Sequence, residues 1–366
     1  MKTTVRAGLA ALLLIGCQSI DTTRLASNSV WTEASSPVNA SLRGIDAVDE
    51  LTCWATGSQG TWLRTIDGGE TWTSGQIEGA AERDFRDVVA FDSTSAIALA
   101  VGSPAEFWMT DDGGGTWRRT WSLAHPDAFL DAMEFWDGKR GIAWGDPIDG
   151  SFCILLTEDG GETWNRVPEA NIPPPAEGEA GFAASGSCLS VGPDGRAWIA
   201  TGGARARVLR SEDHGRTWTS HETDMNAGEN STGGFSLVVL DDGRGVLVGG
   251  DYANPEVLEG SACFTEDDGR TWLPASAPQP GYRSQVAWGG PRLGWLALGK
   301  TGASLSADGE SWVDWSQVEG GTPAPQDLYA FSFSPTTDGL TGKRGAVLGW
   351  AVGREGKIGV LRTPSD

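Results

Sequence analysis

The chain has 366 residues, enough to bury a sizeable core, and a formal net charge of −22. That acidity excludes binding to a free phosphate backbone, which needs a net cationic footprint. With 52 glycines, 18 tryptophans and no long helical periodicity, the composition points to an all-β fold of short strands and tight turns.

The first element is a targeting segment. Lys2 and Arg6 precede an apolar run, residues 7–15, too short to span a bilayer, and the run ends in Leu14-Ile15-Gly16-Cys17. A small residue before a cysteine at that point predicts a lipoprotein signal peptide over residues 1–17, with Cys17 acylated as the mature N-terminus. Gln18 is not the Asp of inner-membrane retention, which favours an outer-membrane address. Residues 18–29, rich in Ser, Thr and Asn, read as a tether, and the expected location is the bacterial cell envelope.

Next comes a strand-like Val30-Trp31-Thr32, and then a repeat. Inner strands are expected at 42–48, 85–91, 129–135, 282–288 and 328–333. Second strands ending at a glycine are expected at 98–102, 141–145, 198–202, 246–249, 295–299 and 350–353. A third strand runs into a recurring turn built on Asp67, Asp112, Asp159, Asp213, Asp267 and, one residue short, Asp308, which closes at Trp72, Trp117, Trp164, Trp218, Trp272 and Trp312. The Asp side chain is suited to accept from N–H groups of its own turn, Gly supplies positive φ, and the Trp packs between sheets. These carboxylates lie in separate repeats and cannot converge on one metal ion.

Four strands every 40–54 residues is propeller spacing. After Trp312 one more unit has three strands and no fourth. Pairing it with Val30-Trp31-Thr32 completes a seventh blade and hides two sheet edges. The expectation is a single seven-bladed β-propeller of four-stranded blades over residues 30–366. Cys53, Cys153, Cys188 and Cys263 fit no zinc or redox spacing and read as buried thiols, with Cys153–Cys188 the pair to test for a disulfide.

The pattern Ser/Thr-x-Asp-x-Gly-x-Thr-Trp resembles the Asp-box of the BNR repeat family. Residues 178–186, 202–204, 249–252 and 281–284 are similar to exported bacterial propellers near the photosystem II stability and assembly factor (Ycf-type) branch. That resemblance implies a propeller of a branch mostly without a defined reaction, whose assembly factors hold a partner protein on an arginine-rich face. A sialidase-like glycosidase is the enzymatic alternative, which would imply an arginine triad, a Tyr nucleophile and carboxylate acid/base groups. The Phe-Arg-Ile-Pro signature of that class is absent, and the class has six blades. Some relatives carry an oxidoreductase label, but no dinucleotide motif is present to support it.

In a propeller the face opposite the Asp-box turns surrounds the channel mouth, and here it carries the long insertions 121–128, 169–181, 224–233 and 251–260. Blades one, two, six and seven offer Arg43, Arg86, Arg283, Lys300, Arg354 and Lys357. Blades three to five offer Asp131, Asp146, Asp149, Glu179, Asp251 and Tyr252, with Arg205 and Arg207 breaking the division. Arg43, Arg86 and Arg283 each stand third in an inner-strand entry, so they are expected on one ring, binding an anionic group beside Tyr282. The predicted protein is a lipid-anchored binding or assembly propeller for a protein or glycan ligand. It is expected to be monomeric, with no assigned catalytic residue, cofactor, metal or nucleic-acid partner. His125, His214 and His221 form no clustered ligand set.

Overall fold

The computed structural model describes residues 29–277, 279–291, 293–318, 324, 326–335 and 345–363. The signal peptide, the acylation site Cys17 and nearly all of the tether lie outside the described residues. Seven antiparallel sheets follow one another around a closed ring, and helix is confined to four short 3-10 turns among the described residues.

Blade one shows the common plan, with Leu42–Ala47 innermost, then Cys53–Gly57, Thr61–Thr65 and Thr73–Gln76 at the rim. In blade seven Leu328–Phe333, Val347–Gly353 and Ile358–Arg362 are completed by Val30–Ala34, which pairs Trp31 with Leu361. The ring is therefore closed by its own N-terminal strand, as the repeat count requires. Blade five departs from the plan. The short strands Glu179–Ala180 and Gly202–Gly203 add to its inner edge and make a six-stranded sheet. The insertion expected from residue 121 begins later, because Arg118–Leu123 is still strand.

The Asp-box turns show why their residue types recur. Thr65 Oγ1 donates to Asp67 Oδ1 (2.8 Å) and accepts from Gly69 N (2.9 Å), while Thr71 N donates to Asp67 Oδ1 (2.9 Å). The same set repeats at Asp112, Asp159, Asp213 and Asp267. At Asp308 the shortened turn accepts from Ser311 N. The Thr116 N–H and hydroxyl hold the Asp112 carboxyl below the usual carboxylate range.

A second constraint falls on the glycine three residues before the Trp of each box, whose φ lies between +76° and +94°. A Cβ on Gly69 would stand 2.9 Å from the Trp350 indole of blade seven, and one on Gly269 would stand 2.7 Å from Trp198 of blade four. At Gly114 it would strike Trp62 of blade one, at Gly161 Ile97, at Gly215 Leu156 and at Gly309 Val246. In all six copies the obstacle belongs to the preceding blade.

The core is a chain of inter-blade clusters rather than one central mass. Trp31, 5 % exposed, packs edge-on to Trp315 and Phe331 at 6.1 and 5.7 Å, joining the N-terminal strand to blades six and seven. The four internal cysteines are buried and free, so the Cys153–Cys188 disulfide is not formed; Cys188 Sγ instead accepts from Trp144 Nε1 at 3.3 Å. Because Trp31 fills a closed core site, Trp31→Ala should lower unfolding stability by about 3–5 kcal/mol. Chemical denaturation checks this, with a loss below about 1 kcal/mol counting against N-terminal closure as a stabilising device.

Candidate functional site

Five of the seven inner strands share a device that aims side chains at the axis. The pairing register skips one residue at Arg43, Arg86, Asp131, Phe235 and Tyr329, each a bulge near the start of its strand. The residue before each bulge, such as Leu42, Phe85, Leu130 or Leu328, is fully buried between blades. Blade six fits the same frame through its strand-two glycine. A Cβ on Gly299 would press on the Tyr282 carbonyl oxygen and Arg283 Cα, as one on Gly57 would press on the Ser41 oxygen and Leu42 Cα. The counterpart of Arg43 in blade six is therefore Ser284, and Arg283 takes the place of Leu42.

That one-residue offset corrects the expected arginine ring. Arg43 and Arg86 line an upper cavity of about 410 Å³ together with Tyr252, Tyr282, Tyr329 and Lys300. All three tyrosines of the chain meet there. Arg283 does not join them: it is 3 % exposed and turned away, donating to Tyr282 O, Thr301 Oγ1 and Ser304 Oγ at 2.8–2.9 Å. A slip of one position reverses the side a strand residue faces, and Tyr282 precedes its arginine just as the bulky Leu42 and Phe85 precede theirs.

The upper cavity has a cationic side and an aromatic side. Arg43 lies 4.4 Å over the Tyr329 ring, and burial, then its neighbour Arg86, lowers its pKa. Arg86 pairs with Asp84 at 2.8 Å and lies 5.8 Å from the Phe129 ring centre. Phe182 and Phe235 stack at 3.9 Å, and Tyr252 and Tyr282 stand edge-on to Phe235. Lys300 Nζ donates to Tyr252 O at 2.5 Å. Burial pushes the Tyr282 phenol well up, the opposite of what an activated nucleophile needs.

The floor of this cavity is a segment, residues 181–187, that crosses the hub. Its Ala183 and Ala184 carbonyls accept from Arg86 and Arg43 at 3.4 Å, Ser185 Oγ donates to Ser284 O of blade six, and Ser187 Oγ to Ser236 of blade five. The expected open channel is thus closed. Beneath lies a lower cavity, also of about 410 Å³, lined by Asp46, Asp87, Glu134, Gln285 and Ser332 with Ser185 and Gly186 as its roof.

The acidic residues expected at the mouth take other places. Asp131, at a bulge like Arg43 and Arg86, is fully buried under Gly181, where burial and then Asp146 push its acid well up. Asp146 accepts from Gly181 N at 2.8 Å and faces a neighbouring groove. Glu179 is locked in a buried ion pair with Arg207 at 2.7 Å, and Asp251 caps its own loop by accepting from Ala253 N and Asn254 Nδ2. Arg205 pairs with Glu222, Arg354 with Glu355 and Lys357 with Asp327. His125 stands 3.8 Å from Asp149. Among the described residues, no group of three or more His, Cys, Asp or Glu is placed to hold a metal ion. Phe182, Phe235 and Tyr329 had not been singled out; the strand-two glycines are the signal that would have aligned Phe235 and Tyr329.

A seven-bladed Asp-box propeller with an arginine–tyrosine cavity at one mouth is the class that this fold and site define. The sequence matches, over residues 23–124, the family model described as photosynthesis system II assembly factor YCF48. The chain is 21 % identical over 301 residues to a photosystem II assembly lipoprotein Ycf48 of Synechococcus sp. (strain CC9902), covering 72 % of this chain and 84 % of the relative. It is 28 % identical over 201 residues to a sialidase of Micromonospora viridifaciens, covering 52 % of this chain and spanning about a quarter (27 %) of that protein. Among solved structures it resembles YCF48 from Cyanidioschyzon merolae (TM-score 0.64, 18 % identity, 91 % of this chain and 99 % of that one). A structure titled YCF48 bound to D1 peptide is similar as well (TM-score 0.63, 19 % identity, 92 % and 97 %). The resemblance to the Ycf48 branch of BNR propellers therefore holds in both sequence and fold.

The lower cavity makes stability depend on pH. Burial raises Asp46 to about 6, and burial with Asp46 raises Glu134 to about 7. Each folded pKa exceeds its unfolded value, so the native state binds more protons and stability falls as pH rises from about 4 to about 7. Thermal unfolding should give a lower Tm at pH 8 than at pH 5, and Glu134→Gln should raise the pH 8 value and flatten the slope.

Proposed function

We propose that this chain is an exported, lipid-anchored assembly or carrier propeller that seats an acidic group of a partner polypeptide between Arg43 and Arg86. The observation that carries the reading is the pair of guanidinium groups in one aromatic cavity, with Arg43 stacked on Tyr329 and making no ion pair among the described residues. Guanidinium groups suit a carboxylate through paired N–H donors, and the surrounding rings give an adjoining apolar side chain somewhere to pack. Support comes from the relatives: one is named an assembly lipoprotein, and one structure of similar fold is titled as holding a peptide.

The sialidase alternative has less behind it. Two arginines line the cavity where a triad needs three, and Tyr282 is buried with its phenol strengthened against ionisation.

Calorimetric titration with an acetylated peptide ending in Asp-Leu, run beside sialyllactose, tests the reading. The peptide should bind. Arg86→Lys should weaken it by about 1.5–3 kcal/mol with Tm unchanged, since a lysine cannot restore the paired donors. Binding of sialyllactose with no binding of the peptide would transfer the site to a glycan.

The anchor rests on Gly16-Cys17 at the end of the apolar run. Cys17→Ser should abolish incorporation of a palmitate analogue and shift the protein from the membrane to the soluble fraction. An unlabelled wild type would remove the anchor.

A further inference from the structure

The two arginines of the upper cavity stand at the same repeat position but have different neighbours. Each fills the bulge of its inner strand, and the residue two places earlier is Ser41 in blade one and Asp84 in blade two. Asp84 accepts from Arg86 Nε at 2.8 Å, and side-chain exposures of 29 % for Arg86 and 34 % for Asp84 leave the pair within reach of solvent. Blade seven repeats the acid at Asp327, but there the bulge residue is Tyr329 and the carboxylate pairs with Lys357 at 3.3 Å. Among the described bulges, only Asp84 commits a carboxylate to a cavity arginine.

That difference divides the pair. Arg86 has its Nε taken by Asp84 and one terminal nitrogen turned to the Ala183 carbonyl, with the Phe129 ring 5.8 Å away. Arg43 gives one terminal nitrogen to the Ala184 carbonyl and its face to Tyr329, which leaves the rest of its donor fork unclaimed among the described residues. Asp84 acts on Arg43 too, opposing the fall in its pKa that burial and Arg86 bring about. Two positive charges and one negative therefore share this side of the cavity. Lys300, the remaining cation of the lining, is bound to Tyr252 O and lies over the Tyr282 ring. One carboxylate balances the Arg43–Arg86–Asp84 group. A phosphate monoester, at about −1.5 to −2, brings a further charge that Asp84 repels.

Resting on the reading that Arg43 and Arg86 seat an acidic group, we propose that Asp84 sets the charge class of that group. The site takes a singly charged carboxylate on the open edge of Arg43 and discriminates against phosphate monoesters. Asp84 is a positioning residue, acting through Arg86 and through its own field without touching the guest. A carboxylate present only to relieve repulsion between adjacent guanidinium groups would alter stability and leave the selectivity for guest charge unchanged.

The test is NMR of the full chain labelled with 15N-arginine, titrated at constant ionic strength with propionate and with methyl phosphate at about pH 8, where the phosphate is doubly charged. Arg43→Lys and Arg86→Lys assign the two Nε–H signals. Propionate should shift the Arg43 signal saturably and bind at least as tightly as methyl phosphate. Asp84→Asn keeps an acceptor for Arg86 Nε and removes only the charge. It should tighten methyl phosphate about fivefold more than propionate, the effect of one further unit charge about 4 Å away in water. Ser41→Asp sets the same acid beside Arg43 and should weaken both probes, methyl phosphate the more. A wild type that prefers methyl phosphate, an unchanged ratio of affinities in Asp84→Asn, or no saturable shift with either probe would each overturn the proposal. Failure of the Asp-Leu peptide with the probe selectivity intact would instead remove the peptide reading and leave this one standing.

Discussion

Six of the seven blades are docked on their predecessors through one atom that is not there. The glycine three residues before the closing Trp of each Asp-box presents a bare Cα where the preceding blade sets an indole or a branched aliphatic side chain. Its positive φ would already disfavour other residues, and the neighbour's side chain removes the remaining room. Local turn chemistry and long-range assembly are therefore one requirement on one residue. The contact between Gly69 and Trp350 carries the same joint from blade one to blade seven, the blade in which the chain's two terminal strands pair. A small error in any joint would accumulate around the ring, which explains why the turn is repeated with so little variation.

The site follows from that regularity. With each blade fixed on its neighbour, a bulge in five of the seven inner strands delivers one side chain toward the hub. Composition at that position then writes the cavity: arginine in blades one and two, phenylalanine in five, serine in six and tyrosine in seven. Asp131 obeys the same rule but is roofed by the crossing segment, so its carboxyl goes to the protein interior rather than to a ligand.

Blade number, closure and the Asp-box network were legible because each rests on residues close in sequence or on counting. The Val30–Ala34 closure could be inferred from a missing fourth strand alone. The site was harder. Arg43 and Arg86 were found because leucine and phenylalanine mark the preceding position, whereas Gly281-Tyr282-Arg283 imitates that pattern one residue early. Partnerships across blades were out of reach. Glu179 with Arg207, or Arg43 with the Ala184 carbonyl, join segments whose meeting depends on a path through space that no periodicity encodes.

The crossing of residues 181–187 changes what kind of object the hub is. An open ring can be threaded like a bead, and a long chain could be drawn through it from one side to the other. Here the upper and lower hollows share no lining residue and are roofed from each other by the protein's own backbone. A guest of the upper hollow would be seated there without passing along, and would depart by the door it entered. A closed vessel of that kind would favour chain ends and projecting loops over interior stretches of a folded partner.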